Sequence, residues 1–161
     1  MHTELRLPRR RRGQNSSQTS KELVEAVRVL ARICSDDVLA GILNRNGLRT
    51  GRGNRWTRER VISLRSHHEI PVYSAARREA EGWMNLTDAA EVLGVSSRTL
   101  RLAVERAEME AEHPLAEGPW VFNRRGLETE AAAKFVARVR WTNREGAIPT
   151  SQQSKLSFST T

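Results

Sequence analysis

A single cysteine, Cys34, is the whole thiol content of this chain. It leaves no partner for a disulfide within the chain and no set of thiols for a zinc or iron–sulfur site. A reducing, intracellular setting is the default expectation. Apolar residues are scarce as well, at 38% hydrophobic and 5% aromatic against 29% charged. For 161 residues that balance argues against one large core and for two small ones. No apolar run reaches the roughly 18 residues that a membrane-spanning helix needs. The opening stretch, MHTELRLPRRRRGQNSSQTS, has no apolar segment of the kind a secretory leader carries. A protein of the cytoplasm, not of the membrane, is therefore expected. Lysine is nearly absent, at three of 27 cations.

The charge that is present is uneven. Residues 1–80 hold 17 Lys and Arg against eight acids, whereas residues 81–161 hold ten against eleven. The whole surplus of the net +8 lies in the first half, which points that half toward a polyanion. The densest part is ILNRNGLRTGRGNRWTRERVISL, residues 42–64. Six arginines fall there (Arg45, Arg49, Arg52, Arg55, Arg58, Arg60) with one acid, Glu59. A helix pair with a basic connector suits duplex DNA, because a helix fits the major groove and guanidiniums neutralise phosphates.

Local signals divide the chain into five parts. Residues 1–18, with Arg9 to Arg12 in a run, read as a disordered basic arm. Residues 19–71 read as three helices. The first runs from a Thr19–Glu22 capping box to Cys34. The second covers residues 37–46, opened by Ser35 or Asp36, with Val38, Leu39, Ile42 and Leu43 inward and Gly47 as its stop. The third is capped by Thr57 and runs to about His67, with Val61 and Leu64 inward. Residues 72–82 read as a linker or helical extension. Residues 83–141 read as a second helical unit. There Thr87 caps a helix over residues 88–93 and Gly94 turns the chain. Ser96 caps the next helix, with Leu100 and Val104 inward. Two short strands, residues 109–113 and 120–123, form a hairpin wing. A closing helix over residues 127–141 follows, with Ala131, Phe135 and Val139 on its apolar line. Residues 142–161 are rich in Ser, Thr and Gln and read as a disordered tail. The fold class is mainly α: two small helix–turn–helix units, the second with a short β-hairpin wing.

LTDAAEVLGVSSRTLR, with W-V-F-N-R later, resembles the winged helix–turn–helix of phage excisionases and mercury-resistance-type regulators. That resemblance covers about residues 83–136. It implies that the helix after the Gly-Val-Ser turn enters the major groove and that the wing touches backbone. Ser96, Ser97, Arg98 and Arg101 would then face DNA, and Arg124 and Arg125 would lie near phosphates. The chain departs from the pattern with Leu102, Ala103 and Glu105 on that helix, with Ala107 where glycine is usual, and with an acidic wing (Glu108, Glu110, Glu112, Glu117).

The first unit resembles the DNA-binding region downstream of the catalytic domain in serine recombinases of the resolvase and invertase type. The matching positions are Leu43-Asn44, Gly47, Arg49-Thr50, Gly51 or Gly53, Trp56-Thr57 and Val61. The order of the two units matches the far C-terminal part of some members, and together the resemblances cover roughly residues 20–140. They imply a DNA-binding protein from a mobile-element recombination system, with Arg45, Arg49, Thr50, Arg52, Arg55, Thr57, Arg58, Arg60 and Arg65 at the duplex. Arg58, Arg60 and Arg65 are the base-edge candidates of the third helix. No catalytic motif of that family is present, so Ser16, Ser17 and Ser20 receive no nucleophile role and no enzyme activity is expected. His67-His68 lacks the companions of a metal site, and no metal or cofactor is expected.

Three functions compete. The chain is a non-catalytic C-terminal recombinase fragment, a stand-alone excisionase-like factor or transcriptional regulator, or an adaptor using the acidic wing. The partners expected are double-stranded DNA and, beside it, a recombinase or further copies of this chain.

Overall fold

A computed structural model describes residues 19–145. The expected basic arm (1–18) and most of the expected tail lie outside the described residues. Four helices come first: α1 (Lys21–Leu30), α2 (Asp36–Arg45), α3 (Arg58–His67) and α4 (Ala75–Glu81). Then follow β1 (Trp83–Asn85), α5 (Leu86–Leu93), α6 (Ser97–Glu105), β2 (Val121–Asn123), α7 (Arg124–Leu127) and α8 (Glu130–Glu145). The fold is mainly α with one two-stranded antiparallel sheet.

Most helix starts are written locally. Ser20, Thr57, Ser74, Asn85 and Ser96 each accept a backbone N–H of the first turn on a side-chain oxygen. Two expected caps shift. Ser20 rather than Thr19 opens α1, which moves Glu22 out of the capping-box position but leaves it favourably near the positive pole. Asn85 rather than Thr87 opens α5, accepting from Asp88 N at 3.0 Å. α8 continues through residues 142–145, beyond the expected end at Trp141.

Two clusters form the interior. In the first, Val27 and Leu30 of α1, Leu39, Ile42 and Leu43 of α2 and Val61 of α3 are essentially inaccessible. Each such side chain contributes about 1.5–3 kcal/mol by leaving water. Val38, expected inward, is 49% exposed. The inward face of α2 is Asp36, Leu39, Ala40, Ile42 and Leu43; Val38 lies one turn before Ile42, at the edge of that face, and is left uncovered. The second cluster gathers Ala89, Leu93, Leu100, Ala103, Phe122 and Phe135. Val104 packs against it only in part. On α8 Phe135 is buried and Val139 packs in part, as expected, but Ala132 is buried in place of the expected Ala131, which is exposed. The expected closing helix is broken, α7 ending at Leu127 and α8 starting afresh at Glu130, and Ala132, Phe135 and Val139 make the i, i+3, i+7 stripe of the inner face.

The β ribbon ties the clusters together. Trp83, Met84 and Asn85 pair with Asn123, Phe122 and Val121. Side chains alternate across a strand. Val121 therefore enters the first cluster, with Trp83 packed beside it, while Met84 and Phe122 enter the second. The expected pairing of residues 109–113 with 120–123 is reduced to one bridge, Glu112 to Val121. The ladder of the sheet runs instead between β1 and β2. The segment read as a linker, 72–82, holds α4, whose Arg78 bonds Trp83 O and pairs with Asp88 of α5.

Candidate nucleic-acid interface

The α2–α3 connector, residues 46–57, begins at a helix stop of local origin. Gly47 has φ +69°, Leu48 N bonds Leu43 O at 3.0 Å and Gly47 N bonds Asn44 O at 3.0 Å. This is a Schellman closure, which needs a left-handed residue and favours glycine. A tight turn follows at Thr50–Gly53. Gly53 N bonds Thr50 O at 2.8 Å, Thr50 N bonds Asn54 O at 3.0 Å, and the Thr50 hydroxyl accepts from Asn54 N at 3.1 Å. Gly53, at φ +79°, is the position whose backbone requires glycine; Gly51 is not in the left-handed region.

The far end is clamped from α2. The Asn44 side chain donates to Trp56 O at 2.9 Å and accepts from Trp56 N at 3.0 Å. It imitates a paired strand residue and holds the buried Trp56 in the first cluster. Thr57 then caps α3 by accepting from Arg60 N. The Glu59 carboxyl is held below its usual range by its own backbone N–H, then by the Thr57 hydroxyl, and further by Arg58 and Arg60.

On this frame Arg45, Arg49, Arg52, Arg55, Arg58 and Arg60 are all exposed. Arg58 is loosely paired with Asp37 at 3.7 Å, both side chains open to water, and such a pair contributes little stability. Arg60 donates to Arg55 O, bracing the connector against α3. Thr50 and Thr57 serve the turn and the cap with their hydroxyls.

Arg65 is placed otherwise than expected. Only 6% exposed, it meets Asp36 with two guanidinium nitrogens, at 2.5 and 2.7 Å, and bonds Ile70 O at 3.1 Å. Its charge is spent inside the protein, and it is no base-edge candidate. A buried, bidentate ion pair of this kind fixes the crossing of α2 on α3 more than it adds net stability.

The second unit has a shorter corner. Gly94 (φ +66°), Val95 and Ser96 join α5 to α6, the three-residue turn of a helix–turn–helix. Ser96 is occupied as cap, accepting from Thr99 N at 3.1 Å, and Ser97 is half-buried. Arg98 is exposed, and Arg101 pairs with Glu105 at 2.9 Å. Arg124 and Arg125 are exposed on α7, not on a wing. Ala107 sits at φ +57°, in the left-handed position that its neighbourhood requires and glycine usually fills.

The wing region folds against the first unit. Glu112 pairs with Arg32 at 2.7 Å, and the Arg32 guanidinium lies 4.2 Å over the Trp83 ring. Glu117 N bonds the Asn46 side chain at 3.0 Å, and Leu115 packs on the first cluster. His113 stacks on Trp120 at 4.1 Å and bonds Gly118 O at 3.0 Å. Glu108 pairs with Arg138. The segment expected to reach a DNA backbone is thus an internal strut, and two of its four acids, Glu108 and Glu112, are matched within the chain.

His67 and His68 stack edge to face at 4.8 Å between centroids at the end of α3. Among the described residues no group of three or more His, Cys, Asp or Glu could hold a metal. Burial pushes the Cys34 thiol up to about 11, against a smaller opposing pull from Arg78. No helix among the described residues is long and apolar enough to cross a membrane. No known protein family, no curated protein and no solved structure matches this chain.

Proposed function

We propose that the chain binds double-stranded DNA through the α2–α3 connector and the outer side of α3, without catalysing a reaction. The observation that carries this reading is the run of exposed guanidiniums, Arg45 to Arg60, on a connector held rigid at both ends. A preformed basic corner loses little conformational freedom on binding, and each guanidinium can neutralise a phosphate. The resemblance to serine recombinases makes a C-terminal recombinase fragment the preferred origin. A recombinase supplied separately, or another copy of this chain, is then the natural protein partner, acting in the cytoplasm at the nucleoid.

The test is a gel-shift titration on a random duplex pool at two salt concentrations. If roughly six phosphates are neutralised, affinity falls at least ~10³-fold between 50 and 200 mM salt. Reversing Arg49, Arg52 and Arg55 to Glu abolishes the shift and leaves the melting temperature nearly unchanged, because all three are exposed. Salt-independent binding by the native chain would refute the proposal.

One observation favours a second reading. The three-residue Gly-Val-Ser corner between α5 and α6 is tighter than the α2–α3 connector and closer to a helix–turn–helix turn. An excisionase-like factor or regulator would place α6 in the groove. Arg98→Ala then reduces affinity more than Arg52→Ala does. The preferred reading requires the opposite order.

A further inference from the structure

α3 distributes its side chains against habit. An arginine, Arg65, is buried, and an isoleucine, Ile62, is 36% exposed. Glu59, Ile62, Ser63 and Ser66 follow i, i+3, i+4, i+7 and share the outer face. All four are exposed, while Val61, Leu64 and Arg65 line the opposite face. The middle of the outer face carries no guanidinium.

Around Ile62 the nearest polar side chain of that row is already engaged. The Ser63 hydroxyl donates to Glu59 O at 3.0 Å. What projects is the branched alkyl group of Ile62, with Arg58 one turn before it on the same edge. A β-branched residue is a poorer helix former than Ala, Lys or Arg, and the 36% of this one's surface that stays open to water lacks burial. A partner that offers a small apolar group at this point would supply it. On a base-pair edge in the major groove that group is the C5-methyl of thymine.

We infer that Ile62 reads thymine methyl groups and so determines sequence preference, while the surrounding arginines set affinity and register through phosphates. The inference rests on the duplex-binding reading above and adds to it the residue that discriminates.

The experiment removes only the methyl. A duplex selected from a random pool by the native chain is resynthesised with deoxyuridine at each thymine, which keeps every hydrogen-bonding edge. Native chain and Ile62→Ala are titrated on both duplexes at one salt concentration, and thermal melts verify that the variant is folded. The native chain loses about three- to fivefold in affinity per methyl contacted. Ile62→Ala binds the two duplexes alike. Indifference of the native chain to the methyl, or a thymine preference surviving in Ile62→Ala, overturns the inference while duplex binding stands. A native chain that binds no duplex at any salt concentration overturns both.

Discussion

The two helical units solve one problem, turning a corner between two helices, in opposite ways. Between α5 and α6 the corner is three residues, closed by one left-handed glycine and one serine cap. Between α2 and α3 it spans residues 46–57 and cannot close locally. It needs the Asn44 clamp on Trp56, the turn at Thr50–Gly53 and the Asp36–Arg65 pair beneath it. The longer corner displays more charge, and it depends on contacts distant in sequence. The short corner is self-sufficient, and much of the charge around it is matched internally, as in Arg101–Glu105 and Arg78–Asp88. Surface available to a partner and dependence on tertiary support therefore rise together in this molecule.

The sharpest way to break that contrast is to remove the tertiary support. Asp36→Ala leaves the Arg65 guanidinium buried and uncompensated, and urea unfolding should show a loss of about 3–5 kcal/mol. A loss below ~1 kcal/mol would mean that the long corner does not lean on the pair. Phe122→Ala attacks the second cluster through the ribbon and should cost about 3–5 kcal/mol. Because Val121, the adjacent residue, lies in the first cluster, both units should still unfold in one transition. Separate transitions, seen by tryptophan fluorescence and circular dichroism, would mean that the ribbon does not couple them.

Smaller changes refine the picture. Asn44→Ala removes two hydrogen bonds to Trp56 and leaves its buried backbone groups without partners, at a cost of about 1–3 kcal/mol. It should also weaken the DNA binding proposed above, by loosening the connector. Ala107→Gly relieves a left-handed alanine and should stabilise by roughly 1 kcal/mol. The corresponding change at Glu69, at φ +52° after α3, should act in the same direction. Cys34 acts only at alkaline pH. An unfolded thiol ionises at about its ordinary 9.0, whereas the folded one is held to about 11, so the folded state binds the extra proton between these values. That contribution to stability is complete below pH 9 and is lost toward pH 11. Below pH 9 a thiol reagent should label the native chain far more slowly than the urea-unfolded one.

Sequence alone determined what is decided within a turn or two of helix. The caps at Thr57 and Ser96 and the stops at Gly47 and Gly94 all read correctly, because each is set by a side chain and backbone groups a few residues away. The exposure of the connector arginines also followed from local polarity. Three matters were decided only by the tertiary structure. Arg65 reads like every other arginine in its stretch, and only the approach of Asp36, 29 residues earlier, makes it interior. The 120–123 strand has two possible partners, and register against residues 83–85 won because it buries side chains on both faces of the ribbon. The acidic wing reads as a free surface until Arg32 and Asn46 are brought beside it. Local pattern records whether a residue can be polar or apolar, but the partner that neutralises or buries it comes from another part of the chain, and only folding brings the two together.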